Sequence, residues 1–310
     1  MNTEIHDPMF EPVLLNGRFY LEEIINSGGM STIYQAQDIL LGAKVVVKLC
    51  TEKDRYKEFQ QEIHLLRSCA HPAIQKILAD GRYHDCPYYV MPFHDGTNFR
   101  DYLDMISSTS EKELLEMFLQ ITEAVAYLHK HKILHNDLKP QNIMIEAGHK
   151  LILSDFGLST RVRTLHRGTP SPETIWGSPV YLAPELAEGR PPAYSSDVYS
   201  LGVILFLLYI GFPPFFHEDL DILIKMHQTL PPPAPRLIEP NISSTMNAII
   251  LRCLSKQPRD RFKNAFELHK EVRLFLNNHQ TQIEKVIIHR HPDMTSFDQI
   301  TRKVSDKSAD

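Results

Sequence analysis

His135-Asn136-Asp137-Leu138-Lys139-Pro140-Gln141-Asn142, followed thirteen residues later by Asp155-Phe156-Gly157, is the stretch on which this 310-residue chain turns. One short loop gathers three groups that phosphoryl transfer needs. The Asp137 carboxylate can accept a hydroxyl proton, the Lys139 ammonium can neutralise phosphate charge, and the Asn142 amide oxygen can bind a metal. Asp155 follows the short apolar strand Leu151 to Leu153 and adds a second hard oxygen ligand of the kind Mg²⁺ takes.

Upstream of this loop the chain reads first as strands. Phe19-Tyr20-Leu21 precedes a Gly-containing turn, Ile33 and Tyr34 resume the strand, and Val45-Val46-Val47-Lys48-Leu49 is a β-branched run. A helix with Phe59, Ile63 and Leu66 on one face follows, then extended stretches around Ile74 to Leu78 and Tyr88 to Met91. After about residue 95 the period becomes helical. Ser110 and Glu113 form a capping box ahead of the stripe Leu114, Phe118, Ile121, Val125 and Leu128. Val198 to Ile210 is apolar nearly all round, as in a core helix, and Gly211 with Pro213-Pro214 ends it. Pro231 to Pro235 reads as a rigid spacer, and helical patterns resume from Met246 to about Leu276. Strands first and helices afterwards predict an α+β chain with two unequal lobes.

The catalytic stretch resembles the catalytic loop and DFG of the eukaryotic-type (Hanks-type) serine/threonine protein kinases, including bacterial members. The resemblance implies a bilobal fold: a small β-rich N-lobe (14–92) with one main helix and a larger helical C-lobe (95–276). Residues 1–13 form a lead and 277–310 a tail. It further implies that Asp137 is the catalytic base, that Lys139 assists the γ-phosphate, and that Asn142 and Asp155 hold Mg²⁺ (or Mn²⁺). Lys139 in Asp-Leu-Lys-Pro is the serine/threonine form.

Asn26-Ser27-Gly28-Gly29-Met30-Ser31-Thr32-Ile33-Tyr34 resembles the kinase Gly-rich loop in its bacterial Gly-Gly-Met form, whose backbone N–H groups approach phosphates. Asn26 stands where the first glycine usually is and Ser31 where the third is, so we expect a stiffer loop. The resemblance makes Lys48 the ligand of the α- and β-phosphates and Glu62 its partner. Ile33, Val46 and Met144 become walls of the adenine pocket, Met91 the gatekeeper, and His94 the hinge residue.

At the other end, Gly177-Ser178-Pro179-Val180-Tyr181-Leu182-Ala183-Pro184-Glu185 resembles the P+1 loop and its closing Ala-Pro-Glu. Ser178 is expected beside Asp137 and Lys139, Glu185 against Arg261, and Asp197 on the catalytic-loop backbone. The activation segment, residues 158–180, contributes Thr160, Thr164, Thr169, Ser171 and Thr174 as candidate phosphorylation sites. It also departs from the pattern. Asn136 replaces the arginine that usually meets an activation-loop phosphate, and the two other basic positions are Glu58 and Thr160. We therefore expect no Arg–phosphate switch, with Arg161 or Arg163 ordering the loop.

Composition excludes other classes. Hydrophobic residues at 43% and charged residues at 23% support a buried core, and a net charge of −5 offers no broad basic surface for nucleic acid. Four scattered cysteines make neither a disulfide framework nor a zinc ribbon. Of the histidines, His129 and His131 cannot share a helix face and His135 belongs to the catalytic loop, packed on Phe156 in a spine with Leu66 and Ile77. We expect no zinc site. The polar start MNTEIHDPMF predicts no signal peptide, and no run approaches the ~20 apolar residues of a membrane span. The expected setting is cytoplasmic, or host cytosol for a delivered effector. Expected partners are ATP and a protein substrate, with oligomeric state open. Two alternatives remain: an ATP-binding pseudokinase, against which the intact Lys48, Glu62, Asp137, Lys139, Asn142 and Asp155 argue, and a small-molecule kinase, against which the P+1 segment argues.

Overall fold

Alternation of side chains across a pleat makes each strand two-faced, and the first unit uses both faces. The computed structural model describes residues 13–28, 31–106, 108–162, 178–278 and 286–287, divided between two units after Asp95. The first is an antiparallel sheet in the order β1 (Leu14–Leu15), β2 (Phe19–Ser27), β3 (Ser31–Asp38), β4 (Ala43–Cys50), β6 (Cys86–Pro92), β5 (Ala79–Tyr83). Val45, Val47, Tyr88 and Val90 face a core with Leu15, Phe19, Leu21 and Ala36. The register sets Ile33 opposite Lys48, Lys48 opposite Tyr89, and Val46 opposite Met91. These five therefore share the other face. Helix α1 (Tyr56–Arg67) buries Phe59, Ile63, Leu65 and Leu66, and Glu62 with them.

One strand lies elsewhere than the hydrophobic pattern predicts. Residues 75–78 are irregular and Leu78 is exposed, whereas the polar Ala79–Tyr83 pairs with β6. The cause is the hairpin turn. His84 and Asp85 both adopt positive φ (45° and 67°), as a two-residue turn matched to strand twist requires, and this fixes Tyr83 opposite Cys86. Asn-Gly is the usual signal for such a turn, and His-Asp does not advertise it.

The second unit is mainly helical. β7 (Gly96–Asn98) leads into α2 (Phe99–Met105), β8 (Ser108–Thr109) and α3 (Glu111–Lys130). Ser110 and Glu113 form the reciprocal capping box at the start of α3. Its predicted stripe is buried throughout, each side chain contributing about 1.5–3 kcal/mol. Then come β9 (Ile133–Leu134), β10 (Ile143–Glu146), β11 (Lys150–Leu153), β12 (Thr160–Arg161), α4 (Pro184–Ala187) and α5 (Tyr194–Ile210). Along α5 every residue from Leu201 to Ile210 is buried, and a Cβ on Gly202 would collide with Cys253. Gly211 closes the helix at φ 89°, where a side chain would be strained. α6 (Leu220–Thr229), α7 (Pro235–Ile238), α8 (Ser244–Cys253) and α9 (Ala265–Asn278) complete the helices among the described residues. β13 (Val286–Ile287) pairs antiparallel with β8.

Candidate active site

The polar residues singled out from the sequence gather in two places, one in each unit. In the first, strand β4 delivers Lys48 to the sheet face that α1 covers with Glu62. Lys48 Nζ donates to Glu62 Oε1 at 2.8 Å and to Oε2 at 3.1 Å. Tyr89, opposite Lys48 in the register, donates its hydroxyl to Glu62 Oε1 at 2.9 Å. Sequence reasoning missed Tyr89; its signal was position, since a residue paired with a strand lysine shares that lysine's face. Further along the same face, Val46, Ile33 and Met91 are half-buried. His94 bonds Gln75 through Nε2 at 3.1 Å. At the Gly-rich turn, Asn26 pairs with Ile33, the Ser27 and Thr32 hydroxyls lie 3.2 Å apart, and the Gly28 amide donates to Ser31. Gly29 lies outside the described residues.

In the second unit the catalytic loop leaves β9 and is fixed from below by a buried carboxylate. Asp197, in the first turn of α5, accepts the backbone N–H of His135 on Oδ2 and that of Asn136 on Oδ1, each at 3.0 Å. His129 Nε2 donates to the same Oδ2 at 2.9 Å, while its Nδ1 accepts from Ala265 N. Burial works to raise the Asp197 carboxyl, but these donors outweigh it and hold the group below its ordinary range. From the sequence His129 was set only on a different helix face from His131; its place four residues past Val125 on the buried stripe brings it to Asp197.

Held this way, Asn136 takes a left-handed backbone (φ 66°), which asparagine tolerates better than most residues. The adjoining Asp137 carboxylate is boxed on both oxygens. Oδ1 accepts from the Ser178 N–H and hydroxyl, each at 2.9 Å. Oδ2 accepts from Asn142 Nδ2 at 2.9 Å and lies 2.8 Å from Lys139 Nζ. Lys139 Nζ also donates to Ser178 Oγ at 2.8 Å.

Asn142 is itself oriented, because its Nδ2 donates to the Asp137 carbonyl at 2.8 Å. The Asn142 carbonyl accepts both the N–H and the hydroxyl of Ser154, tying it to the residue before Asp155. Asp155 is exposed, with φ 55°. An amide and a carboxylate are hard oxygen donors. That two-residue set fits Mg²⁺, which keeps several waters and takes substrate phosphates as its other ligands. It would not make a zinc site, and no group of three or more His, Cys, Asp or Glu that could hold a metal occurs among the described residues. His135 packs edge-on against Phe156 at 4.9 Å, and burial pushes its imidazole down toward the neutral form. Met144 lies half-buried on β10 opposite Ile152.

Glu185 and Arg261 form a buried fork. Arg261 Nη1 and Nη2 each donate to a Glu185 oxygen at 2.8 Å, and Ser196 Oγ donates to Oε1 at 2.8 Å. Thr160 sits in β12 opposite Leu134, and Glu58 is exposed on α1. Arg163, Thr164, Thr169, Ser171, Thr174 and Gly177 lie outside the described residues.

Comparison with known proteins adds to this geometry. The family model described as the protein kinase domain matches residues 19–272. The chain is 28% identical over 286 residues to the serine/threonine-protein kinase PrkC of Bacillus subtilis, covering 91% of this chain and 44% of the relative. It is 32% identical over 278 residues to the probable serine/threonine-protein kinase SCO3848 of Streptomyces coelicolor, covering 87% and 41%. Against the serine/threonine-protein kinase PknB of Mycobacterium tuberculosis it is 30% identical over 288 residues, covering 90% and 46%. The chain thus spans less than half the length of these relatives.

Proposed function

We propose that this chain, which belongs to the protein kinase family, is a serine/threonine protein kinase that transfers the γ-phosphoryl group of ATP to a serine or threonine hydroxyl of a protein substrate. One observation carries the reading. Asp137, Lys139, Asn142 and Ser178 form a closed hydrogen-bonded set around a single carboxylate. The serine/threonine names of the relatives support the acceptor class.

With both oxygens held, the Asp137 carboxylate has a fixed direction in which to receive the proton of a substrate hydroxyl as that oxygen attacks the γ-phosphorus. Proton transfer to a positioned base contributes about 10²–10⁴-fold. Lys139 offsets the negative charge on the transferring group. Lys48, oriented by Glu62 and Tyr89, meets the α- and β-phosphates, and the kinase resemblance assigns further phosphate contacts to Asn26, Gly28 and Gly29. The kinase resemblance assigns adenine contacts to the side chains of Ile33, Val46 and Met91 and the backbone of His94 in the first unit, and to Met144 in the second. Asn142 and Asp155 would hold Mg²⁺ or Mn²⁺, which when bound neutralises phosphate charge. Glu185, Arg261 and Asp197 are structural supports.

We read residues 14–276 as the catalytic domain and 277–310 as a tail. Among the described residues no helix is long and apolar enough to cross a membrane, and we propose a cytoplasmic setting. With Asn136, Glu58 and Thr160 at the three usually basic positions, activity does not depend on an Arg–phosphate contact in the activation segment.

The test is mass-spectrometric detection of phosphate transfer from Mg-ATP to a generic basic protein, with Asp137→Ala and Lys48→Ala as controls. Transfer by the wild type, lost by at least about 10²-fold in Asp137→Ala, is the expected result. Equal silence of all three proteins while they still bind ATP would establish a pseudokinase. Transfer to choline or an aminoglycoside in preference to protein would establish a small-molecule kinase.

A further inference from the structure

Beyond the phosphate that an arginine at residue 136 would meet, the activation segment needs something to hold its first residues, and the second unit shows what does. Residues 158–162 run antiparallel to 132–136 and are joined to them at every step. The Val162 N–H donates to the Lys132 carbonyl at 3.0 Å. Arg161 and Thr160 pair with Ile133 and Leu134. Ser159 Oγ donates to the His135 carbonyl at 3.2 Å. The last rung is the Asn136 side chain, whose Nδ2 donates to the Leu158 carbonyl at 2.9 Å. Both partners in its final rung, an amide and a carbonyl, are uncharged.

That rung differs from the others. Asn136 is only 6% exposed, its backbone N–H is committed to Asp197, and its Oδ1 is buried without a hydrogen-bond partner among the described residues. An unsatisfied buried acceptor is costly, and so is a left-handed backbone at a non-glycine residue. Both costs are accepted where the amide N–H₂ reaches Leu158. The rung also closes a turn, since the Ser159 N–H donates to the Phe156 carbonyl at 3.0 Å. On its other side this turn begins at Ser154, whose carbonyl accepts from His135 Nε2 at 3.3 Å. Asp155, at φ 55°, therefore sits on a turn anchored at Ser154 by Asn142 and His135 and at Leu158 by Asn136.

We infer that Asn136 is a positioning residue: its side-chain amide is a neutral latch that holds the Leu158 carbonyl and thereby sets the turn bearing Asp155, doing permanently what a phosphorylated activation segment does conditionally. The latch itself is a property of the fold; its consequence for turnover rests on the kinase reading above.

Two variants separate the latch from general structure. Asn136→Asp keeps the size and the left-handed preference but offers no donor to Leu158. Asn136→Gly keeps the backbone freedom and removes the side chain. Amide hydrogen exchange of phosphatase-treated full-length protein is the readout. Both variants should exchange about fivefold to thirtyfold faster at Ser159 and Val162, with β10 and α5 unchanged, matching the loss of one buried hydrogen bond. The inference is overturned if Ser159 and Val162 exchange at the wild-type rate in both variants. It is equally overturned if exchange rises uniformly across the unit, since that marks a structural role only. The kinase reading fails separately: wild type that is silent toward protein substrate while Ser159 stays protected removes that reading and leaves the latch standing, and phosphatase treatment that abolishes wild-type turnover removes only the phosphate-independence claim.

Discussion

Two buried ion pairs, one in each unit, are built on opposite plans. Lys48 and Glu62 join a strand to a helix through a flexible ammonium whose side chain is 11% exposed. Arg261 and Glu185 join segments 76 residues apart through a rigid fork at 0% exposure. Arg261 spends its donors completely: Nε on the Ser255 carbonyl, Nη1 on Glu185 and Ser195, Nη2 on Glu185 and Lys256. Such a group is finished, with no capacity for a ligand. Lys48 lies on the sheet face that carries the half-buried Ile33, Val46 and Met91, and it is the cation we propose for the nucleotide phosphates. A saturated guanidinium marks support, whereas the partly exposed Lys48 ammonium is the one we propose as a ligand, although both are buried cations beside glutamates.

Reciprocal swaps that conserve charge should break this contrast if it is wrong. Arg261→Lys leaves several buried acceptors unmatched and should cost about 3–5 kcal/mol in urea unfolding, near the whole stability of a marginal domain. Lys48→Arg retains its charge against Glu62 and should cost less than about 1.5 kcal/mol, yet lower turnover about 10²-fold through misplaced donors. Equal stability losses in the two swaps would remove the distinction.

Acid sharpens the same comparison more gently. Burial alone would raise the Glu185 carboxyl, but the Arg261 hydrogen bonds and charge, with Ser196, bring it below its usual 4.5. A depressed folded value means the pair's stabilisation is full above about pH 4.5 and is lost as pH falls through the folded value. Asp197, also depressed, adds to the loss in the same direction. Urea midpoints from pH 7 down to pH 3 should fall below pH 4.5, and Glu185→Gln should flatten part of that fall. The smallest effect belongs to Ser178→Ala. It removes one hydroxyl bond to Asp137 and one from Lys139 while the backbone N–H stays, so turnover should drop about fivefold to thirtyfold with little change in Tm.

Side chains whose chemistry is local were readable in advance. The Asp137 loop, the Ser110 capping box and the α5 core helix follow from residue type and spacing, whereas the Glu185–Arg261 fork, 76 residues apart, was expected from the kinase resemblance alone. What escaped was set by register and by neighbours distant in sequence. Strand β5 is polar and owes its place to a turn at His84 and Asp85. Tyr89 joins Glu62 because of which residue it faces across the sheet. His129 supports Asp197 68 positions later. Asn136 was read as the absence of an arginine, when its own amide makes the contact to Leu158. Substitution patterns show what a position lacks; only packing shows what the replacement does.

The fork also has a bearing on how the chain is made. A ribosome adding about 5–20 residues per second takes roughly 4–15 s to travel the 76 positions from Glu185 to Arg261. Within that interval α5, apolar around its circumference, is synthesised first, and it waits for α8 to cover Gly202 and then for Arg261 to meet the Ser195 carbonyl. The second unit cannot close from its N-terminal end, so the nascent chain presents a sticky helix to any holdase near the exit tunnel. A chain ending at residue 243 would remain in that condition.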